Sequence, residues 1–103
     1  MTGKQKKVAI ASPNEKTIQK QCVDWLRLVG FYCVKIHQSL GSHKGIADYW
    51  IIRKGWWAWI EFKTAKGKQS EHQIDFENEV KYQQGRYFVV RSLEEMQKII
   101  KEA

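Results

Sequence analysis

From Ser12 onward the chain alternates between stretches with apolar residues every three or four positions and shorter stretches rich in β-branched and aromatic residues. The first, "SPNEKTIQKQCVDWLRLVG", reads as a helix, because Ile18, Cys22, Trp25, Leu26 and Val29 fall on one stripe. Ser12 suits the N-cap, Pro13 the first helical position, and Glu15 completes an S-x-x-E capping box, with Gly30 as a natural stop. "FYCVKIH" reads as a strand, and "QSLGSHKG" as a polar loop. "ADYWII" and "WWAWIEFK" are two further strands, joined through "RKG", a gap short enough for an antiparallel hairpin. After the basic loop "TAKGKQ", Ser70 and Gln73 form an S-x-x-Q cap for a helix carrying Ile74, Glu77, Val80 and Lys81 and ending near Gly85. "RYFVV" is a fourth strand. Ser92 and Glu95 form another capping box, and Leu93, Met96, Ile99 and Ile100 give the last helix its apolar face.

The predicted order is α-β-β-β-α-β-α. It implies an α/β fold in which an antiparallel meander gains a strand through a helical crossover, giving a mixed four-stranded sheet flanked by helices. The length of 103 residues fits a single domain over residues 12–103, preceded by a basic arm over 1–11 that carries Lys4, Lys6 and Lys7.

Composition narrows the partners. Hydrophobic residues make up 43%, enough for one real core, so wholesale disorder is excluded. The formal charge of +7 points to a polyanion, either nucleic acid or an anionic membrane surface. The membrane is the weaker reading, since no apolar run approaches the roughly 20 residues that span a bilayer. The apolar stretch near the N-terminus is too short for a signal peptide, which makes the reducing cytoplasm the expected compartment. Cys22 and Cys33 lack metal-ligand or redox spacing and read as small core residues.

Glu61 and Lys63 stand inside one of the most apolar stretches of the chain. A charge in a buried strand is costly unless it is paired, bound to metal or used. Side chains alternate along a strand, so Ala58, Ile60 and Phe62 share the core face, while Trp57, Trp59, Glu61 and Lys63 share the other. A two-residue turn at Lys54 and Gly55, or a four-residue one, sets Asp48 directly opposite Glu61, with Cβ atoms about 5 Å apart. Two opposed carboxylates repel unless a cation lies between them, and oxygen ligands at that spacing suit Mg²⁺. A lysine two residues on can orient a water and neutralise a phosphate. The bland alternative is an ion pair between Glu61 and Lys63, with Asp48 as a turn residue.

With these residues in place, the chain resembles a known family. "GIAD" followed by "IEFK" is similar to the PD-(D/E)xK nuclease superfamily, with Ala47 where that name expects proline. "GIADYWII", "WAWIEFKTAKGKQSEHQ" and "NEKTIQKQCVDWLRLVGFYCVKIHQ" resemble, more narrowly, the VRR-NUC family, over roughly residues 12–91. The resemblance implies a restriction-endonuclease-like αβββαβ core with an extra C-terminal helix. It implies a DNA endonuclease dependent on Mg²⁺ or Mn²⁺ and acting on branched or Holliday-junction-like substrates. A homodimer, encoded by a phage or mobile element, is the matching expectation. Asp48 and Glu61 would be metal ligands, with the Phe62 backbone carbonyl as a third, and Lys63 the catalytic lysine. Glu15 would act on the metal through water, its alternative being the cap described above. Gln73 would order the site, its alternative likewise being a cap.

His37, His43 and His72 match no His-metal signature. His43, Lys44, Lys66 and Lys68 are expected at phosphates, from loops flanking the cleft. Trp56 and Trp57 read as core or interface residues, or as platforms for an unpaired base. The rival function is a non-catalytic nucleic-acid-binding module, which has no use for two carboxylates aimed at a polyphosphate.

Overall fold

A computed structural model describes residues 12–39 and 41–103. The basic arm expected over 1–11 lies outside the described residues. The elements follow the expected order: α1 (Glu15–Leu28), β1 (Tyr32–Lys35), β2 (Tyr49–Arg53), β3 (Trp56–Phe62), α2 (Glu71–Tyr82), β4 (Tyr87–Val90) and α3 (Leu93–Glu102). The four strands form one sheet in the order β1-β2-β3-β4. The first two pairings are antiparallel, and β4 lies parallel to β3. A parallel neighbour requires a crossover, and α2 supplies it.

Lys54 and Gly55 make the two-residue turn between β2 and β3, with φ of 49° and 87°. Positive φ at both central residues is what a type I′ hairpin turn demands, and its twist matches that of the strands. The turn sets the register from Arg53 opposite Trp56 to Tyr49 opposite Ile60. One further step places Asp48 opposite Glu61.

The two faces of the sheet have different fates. Cys33, Tyr49, Ile51, Ala58, Ile60, Phe62 and Val90 bury against Ile18, Cys22, Val23 and Leu26 of α1 and Met96 of α3. This is the core, and its β3 members are those that strand alternation predicts. Both cysteines lie in it as free thiols. Burial, reinforced by Glu94 and Glu95, pushes the Cys22 thiol up to about 12, where it has no thiolate chemistry. Trp57, Trp59, Glu61 and Lys63 occupy the opposite face, on the side of α2. Phe76 of α2 meets Trp59 edge-on at 5.3 Å and Tyr87 at 6.0 Å.

Three local expectations are corrected. The N-cap of α1 is Asn14, not Ser12: its Oδ1 accepts the Thr17 N–H at 2.8 Å. Asn caps as well as Ser does, and capping from Asn14 makes Glu15 the first helical residue and removes it from any capping box. Ser92 does cap α3, but the Glu95 carboxylate accepts from the Arg91 N–H at 2.7 Å instead of from Ser92. In α2, Ile74 is 42% exposed and the helix buries no residue fully. Its packing rests on the half-buried Phe76, which aromatic contacts hold in place.

Candidate active site

At the C-terminal end of β3, the sheet face beside α2 opens into a pocket of about 380 Å³. Glu15, Asp48, Glu61, Lys63 and Gln73 all line it. They arrive from the first turn of α1, the approach to β2, the end of β3 and the first turn of α2. Lys44 and His72 complete the polar mouth, with Gln38 and Ser70 beside them.

The carboxylates are held by the backbone and by one amide. Asp48 Oδ2 accepts the Phe62 N–H at 2.8 Å, locking the aspartate across the hairpin. Glu61 is 1% exposed, the only buried charged residue among those described. Its Oε2 accepts from Gln73 Nε2 at 2.8 Å and faces Lys63 Nζ at 3.8 Å. Its Oε1 is buried with no hydrogen-bond partner. A buried carboxylate oxygen left unpaired costs roughly 1–3 kcal/mol or more, so this atom asks for a ligand.

The electrostatics agree with that need. Burial, with Asp48 adding to it, pushes the Glu61 carboxyl up to about 8 against the attraction of Lys63; Glu15 contributes in the same sense as Asp48. Burial also raises Asp48, opposed by the Phe62 N–H and by Lys63 and Lys35. Two acids held at one edge in this way are hard to ionise together, and a cation between them relieves both. Among the described residues no three His, Cys, Asp or Glu side chains stand close enough to hold one ion. Two carboxylates, one just before β2 and one on β3, could hold an ion such as Mg²⁺, which keeps much of its water.

Gln73 caps α2 and bonds Glu61 at the same time. Its Oε1 accepts the Ser70 N–H at 2.9 Å and its N–H donates to Ser70 Oγ at 3.2 Å, a complete capping box. The same amide's Nε2 holds Glu61. In sequence the two readings compete for one side chain, but an amide has an acceptor end and a donor end, and the cap uses only the acceptor. The cap also fixes which way the amide points.

Gly45 closes the assembly. Its φ is +76°, and a Cβ there would stand 2.1 Å from the His72 carbonyl oxygen. Only glycine lets the loop before Asp48 press against the first turn of α2. The loop carrying Lys66 and Lys68 is tied down by Arg91, whose Nη1 donates to the carbonyls of Thr64 and Gly67, both at 2.7 Å.

The remaining expected residues divide. Lys44 lines the pocket. His43 lines a neighbouring groove and meets Phe76 edge-on at 5.7 Å. Lys66 and Lys68 line neither cavity. Phe62 places its side chain fully in the core and does not line the pocket. Trp56 belongs to the core side, against Phe31 and Phe88, whereas Trp57 leans on Trp50. Sequence reasoning missed Phe76, which walls the neighbouring groove, and the pocket position of His72, whose spacing speaks only to metal ligation. The Ser70 cap was the available signal for His72, because it places residues 71–73 in the first helical turn.

A mixed sheet of this order flanked by helices is a restriction-endonuclease-like fold. Among solved structures, the chain is similar to one described as a VRR_NUC domain, with a TM-score of 0.75 and 22% identity. The match covers 84% of this chain and 94% of that one, so the likeness of fold takes in nearly the whole of that domain. No protein-family model and no curated protein matches the chain.

Proposed function

We propose that this protein is a metal-dependent nuclease that hydrolyses phosphodiester bonds in DNA. The observation that carries the reading is the buried Glu61, with one oxygen unpaired, opposite Asp48 and beside Lys63. A nucleic-acid-binding module gains nothing from two carboxylates in the pocket that would receive a phosphate. The likeness of fold to a VRR_NUC domain and the charge of +7 support the same reading.

The residues present fit a divalent cation. Asp48 and Glu61 would hold Mg²⁺ or Mn²⁺, with the Phe62 carbonyl as a further ligand and Glu15 acting through water. Such an ion, when bound, supplies Lewis acidity and lowers the pKa of water. The chain's own groups do the rest. The Phe62 N–H fixes Asp48, and Gln73 fixes Glu61, so neither carboxylate has to reorganise as charge develops. Lys63 is half-buried beside Glu61, and on this reading it would neutralise a phosphate oxygen and orient the attacking water. Lys44 at the mouth adds positive charge for the flanking phosphate, Lys66 and Lys68 extend it outward, and His43 offers a hydrogen bond to a phosphate.

We read the substrate as branched DNA and the working form as a homodimer, since paired cuts at a junction need two sites at fixed spacing. The decisive experiment compares linear, flapped and four-way-junction DNA with Mg²⁺, Mn²⁺ and EDTA. Cleavage should require the metal, and Glu61→Gln and Lys63→Ala should each abolish it while DNA binding persists. Wild-type rates in either variant would refute the assignment. Sedimentation equilibrium of the free protein tests the dimer.

A further inference from the structure

Beside the Asp48–Glu61 pocket lies a second cavity, a groove of about 640 Å³ between β3 and α2. Lys44 and His72 line both, so the two share a wall. The rest of the groove is unlike the pocket. Trp57 and Trp59 of β3, with Phe76 and Val80 of α2, form its apolar wall. Trp59 is braced by Phe76 at 5.3 Å, and Trp57 by Trp50 at 6.0 Å, which keeps the indoles in place as surfaces instead of letting them collapse inward. Gly85, with no side chain, lines the groove beside Val80 and Trp57.

Charge decides what can enter. The cation at the shared wall is Lys44, but Asp75 and Glu79 line only the groove. The pocket sets Lys44, Lys63 and, on the nuclease reading, a cation against its own acids, whereas the groove sets only Lys44 against Asp75 and Glu79, which repel a phosphate but not an uncharged aromatic ring. The pocket is thus suited to a backbone phosphate and the groove to the ring attached to it. In a duplex each base is stacked and paired, so only an unpaired base is free to turn out and stack on aromatic side chains.

We propose that the groove takes an unpaired nucleobase of the DNA strand whose phosphate occupies the adjacent pocket. This rests on the nuclease reading above, and it gives that reading a basis for preferring flaps and junctions over intact duplex. The groove acts as a stacking surface that recognises the absence of pairing, with no requirement for a particular sequence.

The test is binding in EDTA, where no cleavage proceeds. Labelled duplex, the same duplex with a single-stranded flap, and that flap built from abasic nucleotides are titrated by fluorescence anisotropy. The wild type should bind the flap roughly tenfold more tightly than the abasic flap, in the range of one stacked base. Val80→Phe, which fills the groove, should erase that difference and leave duplex affinity unchanged. Tryptophan quenching of the wild-type protein by the flap, but not by the abasic flap, checks the same point without any variant. Equal affinity for the two flaps overturns the proposal. So does a loss on Val80→Phe that is equal for all three DNAs, or a change of oligomeric state in that variant, which would make the groove an interface between copies. Should metal-dependent cleavage fail while the flap preference holds, the nuclease reading falls and the base site stands.

Discussion

Replacing Gln73 by glutamate separates the two jobs that one amide performs. A capping box accepts Glu as readily as Gln, because the helix needs only the acceptor oxygen that receives the Ser70 N–H at 2.9 Å. The donor to Glu61 Oε2, now at 2.8 Å, is lost, and a fourth carboxylate joins Glu15, Asp48 and Glu61 in the pocket. Hydrogen bonds to charged groups contribute about 1.5–3 kcal/mol, and losing a partner that orients a metal ligand typically costs about 10–100-fold in activity. Gln73→Glu should therefore cut flapped DNA with Mn²⁺ about 10–100-fold more slowly in single turnover. Its melting temperature at pH 5, where the facing carboxyls can share a proton, should stay close to wild type. Gln73→Ala loses the cap as well, worth about 1 kcal/mol, and should melt about 4–8 °C lower. Cleavage by Gln73→Glu within twofold of wild type would show that the donor is idle. Melting of the Glu variant as low as the Ala variant would show that the cap does not rest on that oxygen.

The pH dependence of stability follows from Glu61. Its carboxyl is pushed from 4.5 to about 8, so between those values the folded protein holds a proton that the unfolded chain has released. Metal-free stability should accordingly fall as pH rises from about 4.5 to about 8. Urea midpoints in EDTA at pH 5 and pH 8 will show this, with the drop reduced in Glu61→Gln and by added Mn²⁺. No drop in the wild type would mean that the carboxylate is solvated. Gly45→Ala should cost about 1–3 kcal/mol from its φ alone, and more from the contact with His72, read as a lower urea midpoint together with lost cleavage. A near-wild-type midpoint would contradict the packing of this loop on α2. If Lys66 and Lys68 contact phosphates, removing both should make the slope of log K against log salt shallower, by about 0.9 for each phosphate that is no longer neutralised on duplex DNA. An unchanged slope would take them off the DNA-binding surface.

Where one physical rule had no competitor, the sequence was sufficient. The turn at Lys54 and Gly55 fixes parity, and parity alone sets Asp48 against Glu61. The core faces of α1 and β3 followed from their periods in the same way. Legibility ended where two residues of equal fitness stood near one another: Ser12 and Asn14 are both good caps, and nothing local chooses between them. It ended again at α2, whose weak apolar pattern suggested Ile74. The helix instead leans on Phe76, because the aromatic partners that hold it, Trp59 and Tyr87, come from other elements and are invisible in a local pattern. Burial of Glu61 down to an unpaired oxygen is also a tertiary fact, since it depends on α2 closing over the end of β3.

The antiparallel hairpin has one more consequence. Asp48 and Glu61 lie at one end of it and the turn at the other. With β3 seven residues long, they are separated by about 20 Å. Both turn residues are exposed, and nothing stands within 4 Å of a side chain added at Gly55. Loop tips of this kind tolerate foreign sequence best. A second folded module whose own ends meet closely could be spliced between Lys54 and Gly55 and ride on the far edge of the molecule. A targeting domain could thereby be added without a single change to the chemical edge.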